Sequence, residues 1–285
     1  MRLQPTHHLF SLITFSFWLT LGQVFASPHE GKYQKNLTHV GKITGDEIIY
    51  TLYLPPEYSK EKGPYPLIIF LHGAGGGNSS SEVLQSYEAA RKDGAIGDCI
   101  AVFPEQYGGT GWRDGGKDKR PETNVLKELL PHLEDQYALS KDRRQRTIMG
   151  FSMGAAGSLY WGSKYLDLFS VAVSLDAGGG NSLEDSSARN YVPDFKKNQE
   201  AIREGALQIR LVQGGLQTRL FQASLKELKI PFDYEQVSRK LENHPKGSPC
   251  LNKRRPGRLM LHNPACMTAS TWGRNTWAFI GKAME

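Results

Sequence analysis

The chain has 285 residues, 39% of them hydrophobic and 22% charged, a balance that suits a full globular core and excludes a disordered or fibrous chain. Its net charge of +6 gathers in part at Lys246, Lys253, Arg254, Arg255 and Arg258. No nucleic-acid motif accompanies these cations, which argues against a nucleic-acid partner and leaves a solvated loop or attraction to an acidic polymer such as a uronic-acid polysaccharide.

The first residues read as a secretory signal. Arg2 gives a positive start, residues 9–21 are apolar with small hydroxyl interruptions, and Val24-Phe25-Ala26 precedes Ser27 as a cleavage site. The expectation is a signal peptide over 1–26 and a single mature domain over 27–285, secreted or periplasmic. The apolar stretch falls short of the roughly 20 residues a membrane span needs, so no stable membrane insertion is expected after cleavage.

From there strands and helices alternate, which predicts an α/β fold with a mostly parallel sheet and helices on both faces. Residues 48–54 alternate and are β-branched, and Pro55-Pro56 stops them. The run Leu67-Ile68-Ile69-Phe70-Leu71 is continuously apolar between a Pro-containing turn and glycines, as a central buried strand should be. A helix is predicted over 81–91, a strand over 99–103 and a helix over 122–137, where Val125, Leu129, Leu130, Leu133 and Tyr137 recur at helical spacing. Then come a strand at 146–149, a helix from Ser152 to Tyr165 and a strand at 169–175. Strand, helix and strand follow at 207–212, 220–228 and 232–237, and a closing helix at 276–284.

The three cysteines suit an exported protein. Cys250 and Cys266 flank one irregular segment that they could close, and Cys99 beside an apolar run reads as a buried thiol. No Cys or His spacing resembles a metal site. Asn36-Leu37-Thr38 and Asn78-Ser79-Ser80 are glycosylation sequons that matter only in a eukaryotic host.

Two segments carry chemistry. Gly150-Phe151-Ser152-Met153-Gly154 lies between a predicted strand and a predicted helix. A serine hydroxyl needs such geometry to act as a nucleophile, because a sharp strand-to-helix turn lifts its oxygen above the sheet and small flanking residues let the chain turn. Ser152 is therefore the candidate nucleophile. The second segment, Leu71-His72-Gly73-Ala74-Gly75-Gly76-Gly77, follows the central apolar strand. A loop there supplies one N–H of an oxyanion hole, from Ala74 or Gly75, and Met153 after the nucleophile supplies the other. No Lys-Ser/Thr follows the glycines, which excludes a phosphate loop. His72 reads as structural rather than as the base. Tyr107 and Trp112 could form an aromatic platform for a sugar or phenolic ring, or pack in the core.

Together with Val102-Phe103-Pro104, Gly111-Trp112-Arg113-Asp114-Gly115, Tyr165-Leu166-Asp167-Leu168-Phe169 and Lys229-Ile230-Pro231-Phe232, these segments resemble the putative esterase family of α/β-hydrolases. That family includes esterase D-like and feruloyl or acetylxylan esterase-like enzymes. The resemblance runs from about Ile48 to the C-terminus and implies ester hydrolysis by a Ser-acid-His triad without a cofactor.

The rest of the triad is less plain. A base is expected after the last strand, and His244 is preferred there. His262, which ends the apolar run 258–262, is the alternative. Relatives usually carry Gly-x-x-Asp after the strand that 207–212 would form, whereas here the stretch Gln213-Gly214-Gly215-Leu216-Gln217-Thr218-Arg219 holds no carboxylate. Asp176, at the end of the strand 169–175, is the substitute, at the active-site end of the sheet and in Ser…Asp…His order. The expected activity is hydrolysis of carboxylic esters, on polysaccharides or small glycosides. An acyltransferase of the same fold and a non-catalytic glycan-binding relative are the alternatives.

Overall fold

The computed structural model describes residues 31–285 apart from 75–76, 78–79, 107–110, 116–118, 179–180, 188–189, 217 and 270. The expected signal peptide, Gly75, Tyr107 and Asn78 of the second sequon lie outside the described residues.

Eight strands form one sheet in the order β1-β2-β4-β3-β5-β6-β7-β8. They are β1 Lys32–Val40, β2 Glu47–Leu54, β3 Leu67–Leu71, β4 Ile100–Pro104, β5 Arg146–Phe151, β6 Val171–Leu175, β7 Gln208–Gln213 and β8 Asp233–Gln236. The pairs β1/β2 and β2/β4 are antiparallel, and every pair from β4 to β8 is parallel. The predicted strands recur within a residue or two. The exposed first strand carries polar residues at most positions, lacks a clear apolar alternation and escaped the sequence reading.

Side-chain alternation splits the core into two layers. On one face Leu67, Ile69 and Leu71 of β3 join Ile148, Ile209 and Leu211. They pack beneath the helical segment 121–136 and helices α4 Met153–Lys164, α5 Val192–Lys197 and α7 Arg219–Glu227. The segment 121–136 comprises α2 Pro121–Thr123, a wide π-type turn Asn124–Leu129 and α3 Leu130–Gln136; the short helix α6 Gln199–Arg203 precedes β7. On the other face Ile68, Phe70, Met149, Val171, Val173 and Leu175 meet α1 Ser80–Lys92, α8 Pro264–Ala269 and α9 Thr271–Ala283. Full burial of each large aliphatic or aromatic side chain contributes about 1.5–3 kcal/mol, so both layers are needed to offset chain entropy. Cys99 lies in the second layer, and its burial pushes the thiol up to about 12. Cys250 and Cys266 are joined in a disulfide.

The connectivity locates the functional end. The chain leaves β3 for β4 on one side, then returns to place β5 on the other. In a parallel sheet such a reversal opens a crevice at the carboxyl ends of the two strands. The loop after β3 starts at His72 and the turn after β5 holds Ser152.

Candidate active site

The nucleophile turn is built by close backbone approach. Ser152 has φ 54° and ψ −112°, a left-handed conformation that a non-glycine residue keeps only when its surroundings hold it there. Its N–H donates to Leu175 O at 2.9 Å, and its carbonyl accepts from Ala155 and Ala156 as α4 begins. A Cβ on Gly150 would lie 2.1 Å from Gly154 O, and one on Gly154 would lie 1.8 Å from Leu71 O. No side chain fits at either position, which is the steric reason for glycine on both sides of the serine.

The candidate acid stands at the end of the neighbouring strand. Asp176 directly follows β6, is fully buried and also has a positive φ of 58°. Its Oδ1 accepts from Gln213 Nε2 at 2.9 Å, Gly214 N at 2.7 Å and Leu216 N at 3.0 Å. Its Oδ2 accepts from Gly215 N at 2.9 Å and from His262 Nδ1 at 2.6 Å. The loop that carries the carboxylate in the family pattern thus carries amide donors here, and they hold a carboxylate supplied by the adjacent strand.

His262, not His244, is the histidine brought to Asp176. With Nδ1 donating to the carboxylate, the network leaves Nε2 as the basic nitrogen. The ring lies 4.7 Å from that of Phe151, the residue before Ser152. A Cβ on Gly215 would come 3.0 Å from His262 Cβ, and one on Gly214 would come 2.6 Å from Leu261 O. The two glycines therefore let the base loop lie directly on the acid cradle. His244, the preferred base in the sequence reading, is buried after the short turn Leu241–Asn243, with its Nε2 2.8 Å from Ser238 O. The geometry therefore favours the alternative, His262, as the candidate base. The Cys250–Cys266 bond and the Leu251/Leu259 bridge gather the segment that carries Lys253, Arg254, Arg255 and Arg258 into a loop of its own, and His262 lies near its far end.

The oxyanion side is partly described. Ala74 lies in the turn after β3 and Met153 opens α4, where the first helical N–H groups lack intrahelical acceptors. A Cβ on Gly73 would lie 3.2 Å from Ser152 Cβ, so this loop passes directly beside the nucleophile. His72 is almost fully buried: its Nδ1 donates to Gly73 O at 2.7 Å and its Nε2 accepts from Gln106 N at 3.1 Å. Both nitrogens are used in shaping the loop, which fits its structural reading. Gln106 Nε2 reaches Met153 Sδ at 3.6 Å, so Gln106 links His72 to Met153 across the candidate oxyanion hole.

Trp112 is not a platform. It is 1% exposed, donates to His72 O at 3.1 Å and packs against Gly157 of α4. Asp114 of the same motif accepts from Glu122 N and Thr123 N at the start of the helical segment 121–136. Sequence reasoning missed Gln213 and the amides of 214–216; the glycine pair in a loop lacking its expected carboxylate was the available signal. Among the described residues no cluster of three His, Cys, Asp or Glu could hold a metal ion.

Comparison with known proteins gives the fold and the family. A solved ferulic acid esterase shares the fold with a TM-score of 0.68 at 18% identity, covering 90% of this chain and 99% of that one. An S-formylglutathione hydrolase from Agrobacterium tumefaciens gives 0.64 at 16% identity, covering 91% and 98%. Likeness at this level speaks for the fold, the α/β-hydrolase fold. In sequence, Esterase Rv1288 of Mycobacterium tuberculosis (strain ATCC 25618 / H37Rv) is 26% identical over 127 residues, 42% of this chain and 27% of that protein. YbbA of Bacillus subtilis (strain 168), an uncharacterized protein, is 24% identical over 162 residues, 52% of this chain and 62% of that protein. The matches thus span less than two thirds of the length of these relatives. Residues 41–243 match the family model described as "Putative esterase", and the chain belongs to that family.

Proposed function

We propose that the protein is a secreted serine esterase that hydrolyses carboxylic esters, removing acyl groups from polysaccharides or small glycosides. The observation that carries the reading is the 2.6 Å contact between His262 Nδ1 and the buried Asp176 carboxylate, beside a serine held at φ 54°. In this reading His262 Nε2 takes the proton of Ser152 Oγ as the oxygen attacks the ester carbonyl. Asp176 fixes the tautomer and stabilises the imidazolium. The N–H of Met153 and one from Ala74 or Gly75 meet the developing oxyanion. His262 then protonates the leaving alcohol, and water activated by the same nitrogen releases the acid from Ser152. No step calls for a cofactor.

Export is supported by the leader pattern of residues 1–26 and by the Cys250–Cys266 disulfide, which persists in oxidising compartments. Plant-type acyl groups are suggested by the ferulic acid esterases among the structural neighbours. The test is labelling by a fluorophosphonate probe together with turnover of a p-nitrophenyl acyl series, with Ser152→Ala as control. Folded protein that neither labels nor turns over would sink the proposal.

A further inference from the structure

Beyond β7 and β8, on the far side of Gln213 from the acid, lies a cavity of about 260 Å³. Arg219, Gln222, Tyr234, Gln236, Arg239 and Thr218 line it. Gln213 forms the wall between the two, its Nε2 on Asp176 and its Oε1 accepting from Thr218 Oγ1 at 2.8 Å.

The cavity has two cations and no acid among its described lining residues. Arg219 is the exposed first residue of α7, and its guanidinium makes no ion pair or hydrogen bond among the described residues. Arg239 is exposed and, among the described residues, donates only to a backbone carbonyl, Gly214 O, at 3.2 Å. The nearby carboxylates are committed elsewhere. Strand alternation points Asp233 and Glu235 to the opposite sheet face, where both pair with Arg210 beneath α9. The same alternation points Tyr234 and Gln236 into the cavity, and Tyr234 is 41% exposed. The start of the nine-residue α7 also faces it and adds the positive end of a helix. From Arg239 the chain runs on through Lys240, Lys246, Lys253, Arg254, Arg255 and Arg258, all exposed and none ion-paired among the described residues.

We propose that this cavity binds the carboxylate of a uronosyl residue in the alcohol part of the substrate. Two guanidinium groups without carboxylate partners match a carboxylate in charge and shape. An exposed aromatic ring with amide and hydroxyl neighbours suits the sugar ring that bears it. The cations of 240–258 extend the attraction along an acidic polymer. The proposal rests on the esterase reading for its meaning as a substrate subsite, but binding at the cavity requires no turnover.

The test uses full-length mature protein and trigalacturonate, with maltotriose as the neutral sugar and sodium sulfate as the simple anion, each titrated by calorimetry at low salt. Saturable binding of trigalacturonate is expected, falling as sodium chloride is added, with no binding of maltotriose. Arg219→Gln and Arg239→Gln each weaken it by about tenfold or more. Melting curves accompany both variants; because Arg239 touches the acid cradle through Gly214, Arg219→Gln decides if the other variant unfolds. Absent binding, unchanged affinity in folded Arg219→Gln, or equal binding of maltotriose overturns the proposal. Sulfate that binds as tightly and displaces the trimer overturns the commitment to a uronosyl carboxylate. Failure of the p-nitrophenyl assay with these binding results intact would instead count against the esterase reading alone.

Discussion

Asp176→Asn is the most informative single change. The carboxylate accepts three N–H groups on Oδ1 and two on Oδ2, one of them from His262. An asparagine has one acceptor oxygen and one NH₂ group. Its oxygen should take the Oδ1 position, which keeps three bonds, and the NH₂ then faces Gly215 N–H and His262. The imidazole must present a bare Nδ1 to that NH₂, so its proton moves to Nε2, and Nε2 can no longer accept from Ser152. A wrong tautomer of this kind costs about 10⁴ in kcat, or about 5.5 kcal/mol of transition-state stabilisation. KM should change little, because no substrate contact is removed. One orphaned N–H and three weaker bonds cost roughly 2–4 kcal/mol of stability. That corresponds to a melting temperature lower by on the order of 5–15 °C. The assay is steady-state hydrolysis of p-nitrophenyl acetate at a temperature where melting curves show the variant folded. A folded Asp176→Asn enzyme within tenfold of wild-type kcat would refute the assignment of the acid.

Three further outcomes are expected. His262→Ala abolishes turnover, whereas His244→Ala keeps catalysis and loses stability of about 1–3 kcal/mol for its part-buried bond to Ser238; parallel kinetics and melting curves check both. Replacing Cys250 and Cys266 together by Ala opens a loop of 16-residue separation and costs about 3 kcal/mol, with kcat falling more than KM rises because the loop carries the base. Cys99, raised by burial to about 12, stays protonated near pH 8. Iodoacetamide should therefore spare it in the native protein and label it quickly once denaturant exposes it, as mass spectrometry would show.

Much of the fold was legible along the chain because its signals are local. The run Leu67–Leu71 could only be a buried strand, and its two faces do feed the two core layers. The short helix α8 and the exposed strand β1 were missed, since neither shows a long apolar period. Trp112 was open between platform and core, and only the packing of the 111–115 segment against α4 placed it inside.

The site divides in the same way. Ser152 and its turn are written in five consecutive residues, because a strand-to-helix reversal is a local steric problem that only small neighbours solve. Asp176 was legible as a candidate acid from chain order, just after a strand. Its cradle was not, because Gln213, Gly214, Gly215 and Leu216 lie 37 to 40 positions away and meet it only through the pairing of β6 with β7. The choice between His244 and His262 belongs wholly to the tertiary structure. Both follow the last strand, and chain order ranks the nearer one first. A cross-link and two glycines of the acid cradle, features of no single segment, bring the farther one home.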